Sequence, residues 1–137
     1  MRVLRAIYCT LILLTLAACT VNFTGYYDQA IDQGVTQFQR CIDLHLIQLQ
    51  ESPQAPFRQG FYDSARTELH VLKTRASSIQ GDDKTDSLLG VLEYQVEQIV
   101  ALDSGRLGTT RAYVIAETTI DNDCRRTLTL ELAKKKP

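Results

Sequence analysis

The chain has 137 residues, with 15 Lys and Arg against 16 Asp and Glu, a formal net charge of −1. That balance gives no basic surface for nucleic acid and no general attraction to anionic lipid. With no Trp, three Pro and seven Gly, the composition favours helices over a turn-rich β protein.

The first residues are laid out as a secretory signal. Met1-Arg2-Val3-Leu4-Arg5 is short and positive, and Ile7 to Ala18 is apolar apart from Cys9, Thr10 and Thr15. Small residues, Ala17 and Ala18, precede the expected cut. The run is too short to span a bilayer, which needs about 20 apolar residues. Its ending, Leu16-Ala17-Ala18-Cys19, resembles the lipobox of bacterial lipoproteins. The resemblance covers residues 1–20. It implies a diacylglycerol on the Cys19 thiol, cleavage just before Cys19 and acylation of the new amine. Thr20 in place of Asp after the lipidated Cys implies the outer membrane, facing the periplasm, if the host is Gram-negative. The alternative is a soluble secreted protein in which Cys19 is an ordinary thiol.

Cleavage there makes residues 1–18 the signal peptide and leaves 119 residues of net charge −3, since Arg2 and Arg5 depart with no acid. That length suits one domain with a real core. Cys9 leaves with the signal and Cys19 carries lipid. Cys41 and Cys124 remain as an even pair in an oxidising compartment and are expected to form a disulfide. Closing so long a loop is worth roughly 4 kcal/mol in the chain-entropy model; the alternative is two buried thiols.

Residues 19–27 read as a short tether, so the domain of residues 28–137 stays close to its membrane. Tyr26 and Tyr27 either rest at the headgroups or close the base of the core, the preferred reading. The first helix runs from Asp28, a good N-cap, to Gln50. Ile31, Val35, Phe38, Ile42, His45 and Leu49 recur at spacings of three and four, which marks one buried stripe, and Leu44, Leu46 and Ile47 are expected to widen it late in the helix. Gly34 invites close approach of a neighbour.

A second helix is expected from Ser52 as N-cap and Pro53 at its first position to Ile79, burying Phe57, Phe61, Ala65, Leu69, Leu72, Ala76 and Ile79. Gly81 ends it, and Asp82, Asp83 and Asp86 cap the next start. The third helix, Lys84 to Leu102, carries Leu88, Leu89, Leu92, Val96, Ile99 and Val100. After the loop Asp103 to Gly108, Thr109 or Thr110 caps a fourth helix to Lys134, with Tyr113, Ala116, Ile120, Cys124, Leu128 and Leu132 as its stripe. Alternation over Thr127 to Leu132 also suits a strand; helix is preferred. The fold expected is all-α: an up-down-up-down antiparallel four-helix bundle, its first and fourth helices joined by Cys41–Cys124. Tyr26-Tyr27-Asp28, Asp32 to Thr36 and Leu130 to Lys135 resemble a group of small bacterial lipoproteins without an assigned activity. That likeness implies helical content and an envelope location only.

No chemical constellation emerges. Asp43 and His45, and Glu68 and His70, are spaced by two and do not share a helix face. His45 therefore reads as a core histidine and His70 as a surface one. Asp121 and Asp123 flank Cys124 and read as a solvated face in preference to a cation site. Arg125-Arg126 and Lys134-Lys135-Lys136 also read as solvated. No nucleophile elbow, phosphate loop, haem motif or metal-ligand spacing is present; no cofactor and no metal are expected, and catalytic residues are none. The expectation is a non-enzymatic, lipid-anchored envelope protein that presents a helical bundle to another envelope component. The alternative is a binding module, with Phe38, Phe57, Phe61 and Tyr113 lining a cleft for an apolar or amphipathic ligand rather than filling the core. The spacing of Ile31, Val35, Phe38 and Ile42 suits an intramolecular bundle and a coiled-coil dimer equally, which leaves the oligomeric state open.

Overall fold

A computed structural model describes residues 25–135. The signal peptide, Cys19, the tether up to residue 24 and Lys136 lie outside the described residues. Four helices follow one another: α1 (Gln29–Glu51), α2 (Gln59–Ser77), α3 (Asp83–Ser104) and α4 (Thr110–Ala133). Among the described residues there is no strand.

Each helix packs on its two sequence neighbours, and α4 closes the ring on α1. The polar contacts give the directions. Asp28 at the start of α1 meets Arg75 at the end of α2. Arg66 meets Glu97, and Lys73 meets Glu93, between α2 and α3. Thr85 meets Glu131 between α3 and α4, and the Thr110 hydroxyl donates to the Gln50 carbonyl between α4 and α1. Every neighbour is thus antiparallel, the up-down-up-down arrangement. One end, here the proximal pole, holds the chain's entry at Gly25, the start of α1 and the end of α4. The other end, the distal pole, holds the α1–α2 and α3–α4 loops.

The helix starts follow local chemistry. Asp28 caps α1 by accepting from the amides of Ala30 and Ile31, and Thr109 caps α4 by accepting from Ala112. The expected start of α2 is corrected. Pro53 lies in a turn and Pro56 in a stretch without regular structure, and helix begins only at Gln59. Two prolines three apart remove two amides and push the residues before them away from helical geometry. Asp82, expected to cap α3, makes no side-chain cap; it is buried and committed to Lys134. Thr127 to Leu132 is helical throughout.

The core runs the length of the bundle: Ile31, Val35, Phe38, Ile42, Leu46 and Leu49 face Tyr62, Leu69, Leu89, Leu92, Val96, Ile99, Tyr113 and Ile120. Gly34 lets α2 come close, because a Cβ there would strike the Leu72 side chain. Gly81 takes the left-handed turn before α3 at φ 81°. On α4 the expected stripe drifts: Leu132 is exposed, while Thr127 and Glu131 are buried.

The Cys41–Cys124 disulfide is not formed; both cysteines are free thiols. The reason is rotational. Gln39, Asp43 and Gln50 mark the edge of α1 that meets α4. Cys41 is two residues from both Gln39 and Asp43, about 200° around the helix, on the edge toward α2. Cys124 points into the core. The two cysteines share a level along the bundle axis but not a direction.

Candidate functional site

Among the described residues, buried ionisable groups gather in three polar centres. At the distal pole, Tyr62 donates its hydroxyl to Asp103 at 2.7 Å, and His45 Nε2 lies 3.0 Å from the same hydroxyl oxygen. Tyr62 has one proton, and Asp103 takes it. His45 must therefore donate from Nε2, and its Nδ1 is a bare lone pair. That Nδ1 is buried with no donor in reach, as is the hydroxyl of Tyr113. Burial holds the His45 imidazole below its ordinary value, with Arg58 adding to the effect and Asp103 opposing it. Burial, with the hydrogen bond and charge of Asp103, pushes the Tyr62 hydroxyl well up. Gly108 packs its Cα against the Tyr113 hydroxyl, where a Cβ would collide. His45 is a core histidine as expected; Tyr62 and Asp103 are the partners that sequence reading missed.

The second centre is an acidic seam between α1 and α4. Asp43, Glu117 and Asp121 converge there, with Gln39 donating to Asp121 and Gln50 donating to Glu117 at 2.6 Å. Burial, then the charges of Asp121 and Glu117, raise the Asp43 carboxyl to about 6. One Asp43 oxygen is buried with no partner. Burial and the charges of Asp43, Asp121 and Asp123 push the Cys124 thiol up to about 12, which makes it inert. Asp121 and Asp123, expected together on a solvated face, part company: Asp121 joins the seam, and Asp123 is buried and pairs with Arg126 at 3.2 Å. Among the described residues, no group of three or more His, Cys, Asp or Glu is placed to hold a metal ion.

The third centre closes the proximal pole. Lys134, expected in solvent, has a side chain only 1 % exposed and lies between Asp82 and Glu131. It also donates to Thr85 at 2.8 Å. Thr85 donates to Glu131, which in turn accepts from the Asp28 amide. Next to this knot, Tyr27 donates to Asp32 at 2.8 Å, and the Lys135 ammonium stands 4.1 Å over the Tyr27 ring. Tyr27 so ties the chain's entry to the end of α4, while Tyr26 is exposed.

None of these centres opens to a substrate. Phe38 and Tyr113 are fully buried, and Phe57 and Phe61 pack on the core around His45 and Tyr62; the four rings line no cleft. His70 is exposed, on a shallow groove between α2 and α3 with Arg66, Glu93 and Glu97.

Large apolar side chains are exposed on each of the four helices, and two of them flank the seam between α1 and α4. Leu44 and Ile47, expected to widen the buried stripe of α1, are instead 55 and 42 % exposed, while Leu46 is buried; on α4, Val114 and Ile115 are 42 and 57 % exposed. Leu44 and Ile115 lie about 100° and 200° around their helices from the seam residues Asp43 and Glu117 and turn away from the seam. Ile47 is one turn from Asp43 and from Gln50, and Val114 one turn from Thr110 and from Glu117. The contacts of those residues across the seam put Ile47 and Val114 at one level on its outer rim. Comparison with protein-family models, with curated proteins and with solved structures returned no match.

Proposed function

We propose that this is a non-enzymatic, lipid-anchored cell-envelope protein that acts through the outward face of α1 and α4. One observation carries the reading. The three polar centres are closed to substrate, whereas two large apolar side chains, Ile47 and Val114, stand exposed at one level on either side of the α1–α4 seam. Apolar side chains exposed side by side and rimmed by charge mark an interaction surface. Its location fits an anchored molecule. The chain enters at the proximal pole, and α1 climbs about 22 Å between Gln29 and Leu44 at 1.5 Å per residue. A lipid on Cys19 would hold the proximal pole near the bilayer and lift this face clear of the headgroups. No described helix is long and apolar enough to cross a membrane, so attachment rests on the lipobox-like Leu16-Ala17-Ala18-Cys19.

Mass spectrometry of the membrane fraction tests the anchor: wild type carries acyl chains on Cys19, and Cys19→Ser is soluble and unmodified. A wild-type protein found unlipidated in the soluble fraction overturns the anchor. A photo-crosslinker in place of Ile47 tests the surface, and it should capture a protein in intact cells where the same group at exposed Gln98 does not.

A further inference from the structure

The rim of the α1–α4 face carries an imbalance that one chain does not resolve. Asp43, Glu117 and Asp121 crowd the seam, and none of them has a cation within 4.0 Å among the described residues. Arg40, Arg111 and Arg125 are exposed and, among the described residues, form no ion pair. Yet they frame the same face. Arg40 is one turn before Asp43 and Leu44, Arg111 is one turn before Val114 and Ile115, and Arg125 is one turn after Asp121. Glu51 extends the acidic side at the distal end. Arg66, Lys73, Arg75 and Arg126 are paired within the chain, whereas Arg58, Arg106 and Lys84, like Arg40, Arg111 and Arg125, form no ion pair among the described residues. What sets this face apart is that its unpaired arginines lie beside unpaired acids.

We infer that the outward face of α1 and α4 is the interface of a twofold homodimer, in which Ile47 and Val114 of one copy cover those of the other and the arginines of each copy meet the carboxylates of its partner. The occupant is a second copy because the face is self-complementary. It has an apolar centre and both signs of charge on its rim, and a twofold axis lays the same patch on itself in reverse. Arg125 lies toward the proximal end of the rim, one turn from Asp121. Arg40 likewise turns toward the seam acids. An acidic partner protein would use the arginines and leave Asp43, Glu117 and Asp121 uncompensated; a basic one would do the opposite. The dimer rests on the reading of this face as the interaction surface and names the partner that covers it.

The test uses the full chain in mild detergent, at micromolar concentration, by sedimentation equilibrium. The expected mass is that of two chains. The double substitution Ile47→Gln with Val114→Gln should give one chain, with unchanged helical circular dichroism and melting midpoint, since both side chains are already exposed. A single-chain mass for wild type, or a two-chain mass that survives the double substitution, overturns the dimer. The photo-crosslinker at Ile47 separates failure of the dimer from failure of the surface. A product of two identical chains supports the dimer. A product with only a different protein overturns the dimer and leaves the surface reading standing, and no product at all removes both.

Discussion

Tyr62 donates a hydrogen bond from its hydroxyl to Asp103, and this one bond sets the tautomer of His45. Tyr62 Oη can then only accept from Nε2, and the imidazole is held neutral with its lone pair at Nδ1. Three groups that would each be unfavourable to bury alone are joined into one chain of donors and acceptors at the distal pole.

Tyr62→Phe cuts that chain in the middle. It strands the Asp103 carboxylate and the His45 Nε2–H, both in a dry site, at nearly constant volume. We expect a loss of about 2–4 kcal/mol, the range for leaving a buried charged acceptor without its donor. Urea unfolding followed by circular dichroism measures it. Nitrogen chemical shifts of the wild-type imidazole should report a proton on Nε2; a proton on Nδ1 would refute the assignment.

The seam and the distal pole respond to pH in opposite senses. The folded His45 has its pKa below the ordinary 6.5. Its contribution is therefore full above about pH 6.5 and is lost as pH falls from there toward the folded-state value. Asp43 is raised from 3.8 to about 6, so its folded form prefers the proton. Ionising it penalises the fold above about pH 6, and that penalty is relieved as pH falls toward 4. Asp43→Asn keeps the shape of the protonated acid and offers an amide to Asp121. In the Ile47→Gln, Val114→Gln background, where no partner covers the seam, Asp43→Asn should add about 2 kcal/mol at pH 7.5. That figure converts the shift at 1.36 kcal/mol per unit and discounts it for partial exposure. At pH 4 the gain should vanish; an equal gain at both values would show that Asp43 is not the group that titrates.

The helices were legible because apolar periodicity records the burial that drives folding. Ile31, Val35, Phe38, Ile42 and Leu49 each lie in the core as their spacing implies. The polar centres follow the same periodicity but were hidden by residue type. Asp103 continues the stripe Leu92, Val96, Ile99, and Glu131 continues Ile120, Cys124, Thr127. An acid at a core position near a helix end reads as a solvated terminus until its partner from another helix is known. Tyr62 pairs with Asp103 across 41 residues and Lys134 with Asp82 across 52, separations that no local pattern reports. The disulfide failed for a related reason: Cys41 and Cys124 match in level, and a level says nothing of the direction in which a side chain leaves its helix.

The free thiols make a direct prediction. Under native, non-reducing conditions Cys41, which is partly exposed, should react with a maleimide within minutes. Cys124 should react only in denaturant, because it is buried and its thiol is held near 12. Peptide mapping should find no Cys41–Cys124 crosslink, and a reductant should leave the melting midpoint where it was. A midpoint lowered by reductant would restore the bond.

Lys134 supplies the sharpest test of the proximal pole. In sequence it is one of three consecutive lysines, and its neighbour Lys135 is about half exposed. In the fold its ammonium is the one cation between the buried carboxylates of Asp82 and Glu131. Lys134→Met retains much of the apolar stem and removes the charge. Both carboxylates then stay in a dry site: Glu131 keeps Thr85 and the Asp28 amide as donors, and Asp82 keeps none among the described residues. The expected loss is about 3–5 kcal/mol, as for breaking a buried ion pair from one side. Adding Asp82→Asn to Lys134→Met should recover part of it by removing one stranded charge. Lys135→Met, beside it, should leave the urea midpoint unchanged. Equal effects at 134 and 135 would mean that the end of α4 frays in solution, and that the entry at Gly25 to Asp28 is not tied to it.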